Sequence, residues 1–260
     1  MPELPDVEIF RRFVDETSLQ RRLADVRVFN RRVLNDLSPQ RLKRALQGRS
    51  FHSTARHGKH LFVEVDGSLW LVLHFGMTGH LDFGRQRRTG PHDRVVFVFA
   101  DEYSLAFVCA RLFGRITLAQ SVEEFVADQR LGPDAMAVSA QEFALRVCRS
   151  RATIKSILMD QSQVAGIGNL YSDEILFRSR IHPAFPGRRL TTGQAACLYR
   201  NTRKVLRMAI EREADPWAMP QSCLLPHRER EGCCPRCKAA LTRQTVAGRT
   251  AYWCPQCQRR

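Results

Sequence analysis

Lysine is scarce in this chain: 5 of 260 residues, against 36 arginines. Acidic side chains are short as well. There are 26 against 41 basic ones, which leaves a formal charge of +15 and a pI near 10.1. A deficit of negative charge on this scale favours a polyanionic partner, nucleic acid first. The basic excess runs along the whole chain, which excludes a simple basic tail. Arginine suits bidentate phosphate contacts, but GC-rich coding gives the same bias, so the ratio itself decides little. No stretch of about 18 apolar residues occurs, so no membrane span is expected. Residues 1–20 mix acidic and basic side chains without an apolar segment, so no secretory leader is expected. The nine cysteines then read as intracellular thiols or metal ligands rather than disulfides. Internal repeats and low-complexity segments are absent too. What remains, 260 residues with 44% hydrophobic content, is enough for two domains with real cores.

Four of the cysteines form a pattern. Cys234, Cys237, Cys254 and Cys257 stand as C-x2-C-x16-C-x2-C, each half reading Cys-Pro-x-Cys. Two such knuckles can arrange four thiolates tetrahedrally around one structural Zn²⁺, with no open position for catalysis. A redox dithiol would need a βαβ setting, which is absent. Cys233 is a competing ligand, but only Cys234 gives the symmetrical spacing. Between the knuckles, Leu241–Tyr252 reads as a hairpin turning at Ala247-Gly248, with Arg249 at its tip. Cys109, Cys148, Cys197 and Cys223 read as buried apolar fillers. Eight basic residues follow position 227, from Arg228 to Arg260, opposed only by Glu229 and Glu231. A hairpin carrying that charge suits phosphate.

The chain opens Met1-Pro2-Glu3-Leu4-Pro5. Pro2 is small, so removal of Met1 is expected, leaving a secondary amine at the N-terminus. An α-amino group titrates near pH ~8, so much of it is nucleophilic near neutrality. Its attack on an aldehyde-like carbon gives an iminium ion, an electron sink. The Glu3 carboxyl beside it can move protons.

Residues 5–17 read as a helix, with Val7, Phe10, Phe13 and Val14 as its apolar stripe. Strand-like runs follow at 27–29, 61–65, 69–75, 94–99, 105–109 and 115–119. Asp66-Gly67 and Asp101–Tyr103 are the turn signals between pairs of them. This half reads as an antiparallel sandwich or barrel. The period then turns helical: 122–129, a capping box at Ser139–Glu142 opening a helix to about 148, helices over 153–160 and 169–178, and a second capping box at Thr191–Gln194 opening a helix to about 213. Leu131–Asp134 reads as a linker. Gly166-Ile167-Gly168-Asn169 is a tight turn before a helix, where backbone N–H groups could approach a phosphate.

Together these residues resemble the formamidopyrimidine-DNA glycosylase (Fpg/Nei) family, closer to its Fpg branch. Pro2-Glu3-Leu4-Pro5 is similar to its N-terminal signature, and Arg56-His57-Gly58-Lys59-His60 to its Gly-Lys motif. His74–Gly79 and Arg111–Gly114 resemble its intercalation loops. Gly166–Tyr171 with Ile181-His182-Pro183 resembles its helix–two-turn–helix, and the cysteine quartet its zinc finger. The resemblance implies an α+β fold: an N-terminal antiparallel β-sandwich with flanking helices, then a helix–two-turn–helix domain with a C-terminal zinc-finger hairpin. The implied limits are 1–130 for the sandwich, 131–138 for a linker, 139–225 for the helical domain and 226–260 for the finger.

The implied function is a bifunctional DNA glycosylase/AP lyase of base excision repair. Pro2 would form a Schiff base with the sugar of an oxidised nucleotide, expected to be a purine, release the base, and cut the strand by β,δ-elimination. Glu3 would serve as acid/base. Lys59 would meet phosphate and assist the chemistry. Asn169, Tyr171 and Arg249 would contact DNA, with Asn169 and Arg249 gripping the phosphates beside the lesion. Met77, Arg111 and Phe113 would fill the gap left by the everted nucleotide. The implied partner is damaged double-stranded DNA, the implied cofactor one structural Zn²⁺. The protein would be a monomer in the bacterial cytoplasm, associated with the nucleoid. Packing gives Tyr171 an ordinary explanation, and solvation or capping gives Glu174 one.

Two departures affect specificity. Leu112 stands where the Fpg pattern has an arginine resembling the reader of the orphaned base, which is expected to weaken discrimination for cytosine opposite the lesion. Residues 215–232 look shorter than the family's lesion-capping loop, so 8-oxoguanine, formamidopyrimidines and oxidised pyrimidines all stay open as substrates. The alternatives are an endonuclease VIII-like glycosylase, a catalytically weak DNA-damage binder on the same scaffold, and a zinc-ribbon transcription or recombination factor.

Overall fold

The computed structural model of the chain describes residues 1–66 and 69–259. It divides into two compact units, one of Met1–Pro2 with Asp6–Gln129, the other of Glu3–Pro5 with Arg130–Arg260. The fold is α+β, with antiparallel sheets in the first unit and helices with a C-terminal hairpin in the second.

In the first unit, helix α1 (Leu4–Thr17) is followed by β1 (Leu23–Val28), α2 (Pro39–Leu46), β2 (Phe51–His57), β3 (His60–Val65), β4 (Leu69–His74), β5 (His80–Arg85), β6 (Asp93–Phe99), β7 (Tyr103–Val108), β8 (Arg115–Ala119) and α3 (Val122–Asp128). The strands form two four-stranded antiparallel sheets, ordered β1-β6-β7-β5 and β2-β3-β4-β8. Alternating residues of both, such as Leu61, Val63, Leu71, Leu73, Val95, Phe97, Leu105 and Phe107, enter one core with Val7 and Val14 of α1. This is the sandwich arrangement, each strand apolar on its inward side.

The unit corrects several expectations. The first strand runs from Leu23 to Val28 instead of 27–29. β2, β5 and α2 were not legible. β2 reads Phe-His-Ser-Thr-Ala-Arg-His and buries only Phe51; β5 carries Asp82 and Gly84; α2 buries only Leu42 and Leu46. None shows enough apolar alternation to stand out. Lys59 lies in a two-residue turn with Gly58, since His57 pairs with His60, and Gly58 stands at φ 56°. Val65 pairs with Leu69 as the Asp66-Gly67 signal requires, although Gly67 itself lies outside the described residues.

The second unit holds α4 (Ala140–Arg149), α5 (Ile154–Met159), α6 (Asn169–Ser179), α7 (Thr192–Glu211) and the hairpin β9 (Thr242–Val246) with β10 (Arg249–Trp253). Local chemistry sets the helix starts. The hydroxyls of Ser139, Thr153 and Thr191 each accept the N–H three residues on, from Glu142, Ser156 and Gln194, satisfying donors the helix leaves open. Thr191 and Gln194 form a complete capping box. At Ser139 only the forward half forms, because the Glu142 carboxylate pairs with Arg146 at 2.9 Å instead. The stretch 131–138, expected as a linker, is built into this unit: Gly132 N–H donates to Gln161 O at 2.8 Å and Ala135 N–H to Ala165 O at 2.9 Å, and Ala135 and Val138 are buried. The hairpin turns at Ala247 and Gly248, with φ of 49° and 74°, as a two-residue turn of the favoured hand requires. Of the four filler cysteines, Cys109 and Cys223 are buried, but Cys148 and Cys197 are half-buried. Arg260 lies outside the described residues. None of the described helices is long and apolar enough to cross a membrane.

Candidate active site and nucleic-acid interface

In the second unit the site is built on the N-terminus of α6. The residue preceding that helix is Gly168, which has no side chain to cap it. The cap comes from far away in sequence. Glu3, 2% exposed, accepts Gly168 N–H on Oε2 at 2.7 Å, Leu170 N–H on Oε1 at 2.7 Å, and Tyr171 N–H on Oε2 at 3.3 Å. A carboxylate among the open N–H groups of a helix start is favoured by the hydrogen bonds and the helix dipole together. The glycines make room for it. A Cβ on Gly168 would lie 2.4 Å from Glu3 Cδ, and one on Gly166, at φ 115°, would meet Leu4 Cδ1 at 2.5 Å. Leu4 N–H donates to Gly166 O at 3.0 Å, closing the attachment. The turn's donors, expected to face a phosphate, thus hold the N-terminal segment instead.

Asn169, the first residue of α6, is half-buried, and its Oδ1 is buried without a hydrogen-bond partner among the described residues. Tyr171, expected to touch DNA, is fully buried. Packing accounts for its ring, and its main chain helps hold Glu3.

Below α6 lies a polar network that the sequence did not reveal. Lys155 on α5 is fully buried; its Nζ donates to Asp173 Oδ1 at 2.6 Å, Ser172 Oγ at 2.9 Å and Asn169 O at 3.2 Å. Burial pulls the Lys155 ammonium below its ordinary range, and Asp173 opposes that shift. The other Asp173 oxygen accepts Arg228 Nε at 2.9 Å and the β10 N–H of Tyr252 at 3.1 Å. One carboxylate therefore ties α5, α6, the segment after α7 and the hairpin together. Glu174, one position on, is not solvated. It is fully buried, pairs with Arg178 at 2.9 Å and caps Leu224 and Leu225 N–H at 2.7 and 3.0 Å. Burial raises its carboxyl above the usual range, against the pull of Arg178. The only sequence signal for this network was a lysine among Ile154, Ile157 and Leu158 of α5, together with a Ser-Asp-Glu run in α6.

The four cysteine sulfurs of Cys234, Cys237, Cys254 and Cys257 all lie within 4.8 Å of one another. Cys234 and Cys254 are buried under Phe177, Leu224 and Leu241. Four thiolates 2.3 Å from one ion sit roughly 3.8 Å apart in a tetrahedron, so the quartet can hold a metal ion. Arg249 is exposed on the hairpin tip, across a cavity of about 180 Å³ from Ser156, Met159 and Asp160 of α5.

The first unit contributes a different set. Lys59 is 8% exposed in its turn. His74, at the end of β4, accepts Gly76 N–H on Nδ1 at 3.3 Å. Burial, then the nearby Lys59 and Arg115 cations, pushes its imidazole down to about 4. His60, opposite it in the sheet, is pushed down to about 3 by burial and by the His74 and His57 rings. Two loops project next to these rings. Gly76, at φ 61°, lets its loop press against the other, since a Cβ there would come within 2.4 Å of the Phe113 carbonyl carbon. Met77 and Phe113 stay 39% and 50% exposed, which core residues would not be. The Arg111 guanidinium lies over the Phe113 ring at 5.4 Å. Leu112, at φ 57°, turns the other way and packs on the core. Cys109 braces the loop by accepting Gly114 N–H at 3.3 Å. Pro2 clusters with this unit, preceded by a Met1 that is 56% exposed.

The second unit thus carries a buried carboxylate seated on a helix start, and the first a pair of loops with exposed cationic and aromatic side chains. Residues 1–116 match the formamidopyrimidine-DNA glycosylase N-terminal domain and residues 131–219 the H2TH domain of the same enzymes. The chain belongs to the formamidopyrimidine-DNA glycosylase family. Among its relatives, the formamidopyrimidine-DNA glycosylase of Solibacter usitatus is 35% identical over 270 residues, covering 100% of both chains. That of Thermus thermophilus is 35% identical over 274 residues, covering 99% of this chain and 98% of its own. A crystal structure of the Lactococcus lactis Fpg with DNA containing FAPY-dG superposes with a TM-score of 0.91 at 26% identity, covering 99% of this chain and 100% of that one.

Proposed function

We propose that the chain is a bifunctional DNA glycosylase and abasic-site lyase of base excision repair. After removal of Met1, the Pro2 nitrogen attacks C1′ of the damaged nucleoside. The C1′–base bond breaks and the base leaves with the bonding pair and a proton. The Pro2 nitrogen, its proton given up, then uses its lone pair to expel O4′ from C1′; O4′ takes a proton delivered through Glu3, and the iminium so formed makes the C2′ proton acidic. Loss of that proton expels the 3′ phosphate, and loss of a C4′ proton then expels the 5′ phosphate. The observation that carries this reading is the three-bond seat of Glu3 on α6. It fixes the residue bonded to Pro2 and holds a carboxylate, a group able to move protons, directly after the proposed nucleophile.

Lys59 supplies a point cation to a phosphate beside the sugar. Asn169, with its carboxamide on a helix start, and Arg249, on the hairpin tip, take flanking phosphates. Met77, Arg111 and Phe113 enter the stack where the nucleotide leaves it, offsetting the few kcal/mol that eversion costs. Tyr171 serves through its main chain rather than as a DNA ligand. Zinc fits the four-sulfur set; when bound it would close the hairpin and supply no reaction chemistry. The protein acts as a monomer on damaged duplex DNA in the cytoplasm of a bacterium. The retained Pro2, Glu3 and Lys59 favour turnover over a damage binder. The inward Leu112 favours a relaxed rule for the opposite base.

Borohydride reduction on an abasic-site duplex tests the central step. The processed protein should become covalently joined to DNA through its N-terminus, and Pro2→Gly should bind DNA yet lose most strand cleavage. Undiminished cleavage by that variant would refute the assignment.

A further inference from the structure

From Ile175 to Ile210 the chain has seven arginines and one lysine but no aspartate or glutamate. Three of these cations, Arg200, Lys204 and Arg207, recur at i, i+4 and i+7 on α7, and all are exposed. They stand opposite the side of α7 that buries Leu198, Thr202, Val205, Leu206 and Ala209. α4 and α6 pack on that buried side, so the stripe points away from the helix that seats Glu3. The three cations are in no ion pair among the described residues, unlike Arg146 and Arg178 on neighbouring helices. Like charges at these spacings repel along a helix, so the row works against α7 until an anion neutralises it.

The spacing has a match. A rise of about 1.5 Å per residue spreads the row over about 10 Å. One strand of duplex DNA carries a phosphate every ~3.4 Å of axis, so about three fall within that length. We propose that this face of α7 is a second DNA-binding surface, which takes the backbone of a duplex segment other than the one holding the lesion. The proposal rests on DNA being the polymer the enzyme acts on. Such a surface reads no sequence and keeps the protein on long DNA between encounters with damage.

The test compares the wild type with a variant carrying Arg200→Gln, Lys204→Gln and Arg207→Gln, substitutions of similar helix propensity. Affinity is measured for a long undamaged duplex and for an abasic-site duplex of about one helical turn. Losing three phosphate contacts should lower the slope of log affinity against log salt by about 2.7, so the wild type loses about 40-fold more affinity for the long duplex than the variant between 50 and 200 mM. Binding and cleavage of the short duplex should stay unchanged. A variant with Arg200→Lys and Arg207→Lys should keep the wild-type slope. An unchanged slope in the glutamine variant overturns the proposal and leaves the row to an acidic protein or lipid surface. A parallel loss on the short duplex overturns it too, because the row would then belong to the lesion site. A wild type unable to cut the short duplex would instead refute the proposed activity.

Discussion

Glu3 Oε1 accepts the Leu170 N–H at 2.7 Å, a bond between residues 167 positions apart. It makes the cap of one helix and the anchor of the Glu3–Pro5 segment the same interaction. Substitution at either end should therefore affect stability and chemistry together. Glu3→Gln replaces an acceptor oxygen by a donor and leaves a helix N–H open, costing about 1–3 kcal/mol. It should also slow single-turnover cleavage of abasic DNA by about 10²-fold or more. Gly168→Ala should reproduce the kinetic loss without touching a titratable group, since its Cβ would displace the Glu3 carboxyl. Full activity in Gly168→Ala would show that the seat is not needed.

Asp173 is the carboxylate that neutralises the buried Lys155. Asp173→Asn should destabilise the second unit by about 3–5 kcal/mol, because removing one partner leaves the other charge buried. Pairing it with Lys155→Met should recover much of the loss in thermal melts. The double variant should still bind DNA more weakly than the wild type, since Arg228 and Tyr252 then share a neutral amide oxygen in place of a carboxylate and the hairpin's tie to α6 weakens.

The two depressed histidines give a pH signature. Unfolded, each takes a proton near pH 6.5; folded, His60 waits until about 3 and His74 until about 4. The unfolded chain thus binds more protons between these limits. Stability falls as pH drops from about 6.5 toward 4, by about 1.4 kcal/mol per pH unit for each histidine. His60→Phe, which can pack against Phe125, should remove one such contribution. Urea unfolding at pH 7 and pH 5 would show the smaller difference; an equal difference would mean that His60 is not held neutral.

Removing metal from the cysteine quartet should loosen β9–β10 and weaken binding to damaged duplex, because Arg249 loses its mount. Cys254→Ser should do the same. Affinity that survives a verified absence of metal would separate the hairpin from DNA binding.

Much of this was readable along the chain because it depends on short spacings. The cysteine pattern, the Ala247-Gly248 turn, the Thr191 capping box and the alternation in β3, β4, β6 and β7 each involve residues a few positions apart. The illegible parts carry weak local signals. β2 and β5 alternate poorly, and α2 has two buried leucines. Pro2 and Glu3 were singled out from their chemistry, and Met77 and Phe113 from the resemblance of their loops to the family's intercalation loops. The burial of the Tyr171 ring was not legible, because a helical tyrosine in a basic chain looks the same whether its ring packs inward or faces solvent.

By itself the sequence determined the candidate groups: a Pro-Glu pair, four thiols at metal spacing and a surplus of positive charge. Only the tertiary structure decided what each group faces. It spends the Gly168 turn on Glu3 rather than on phosphate, buries Lys155 against Asp173, and turns Leu112 inward while Arg111 and Phe113 turn out. The physical reason is that hydrogen bonding and desolvation depend on neighbours in space, and here those neighbours come from segments up to 168 residues away.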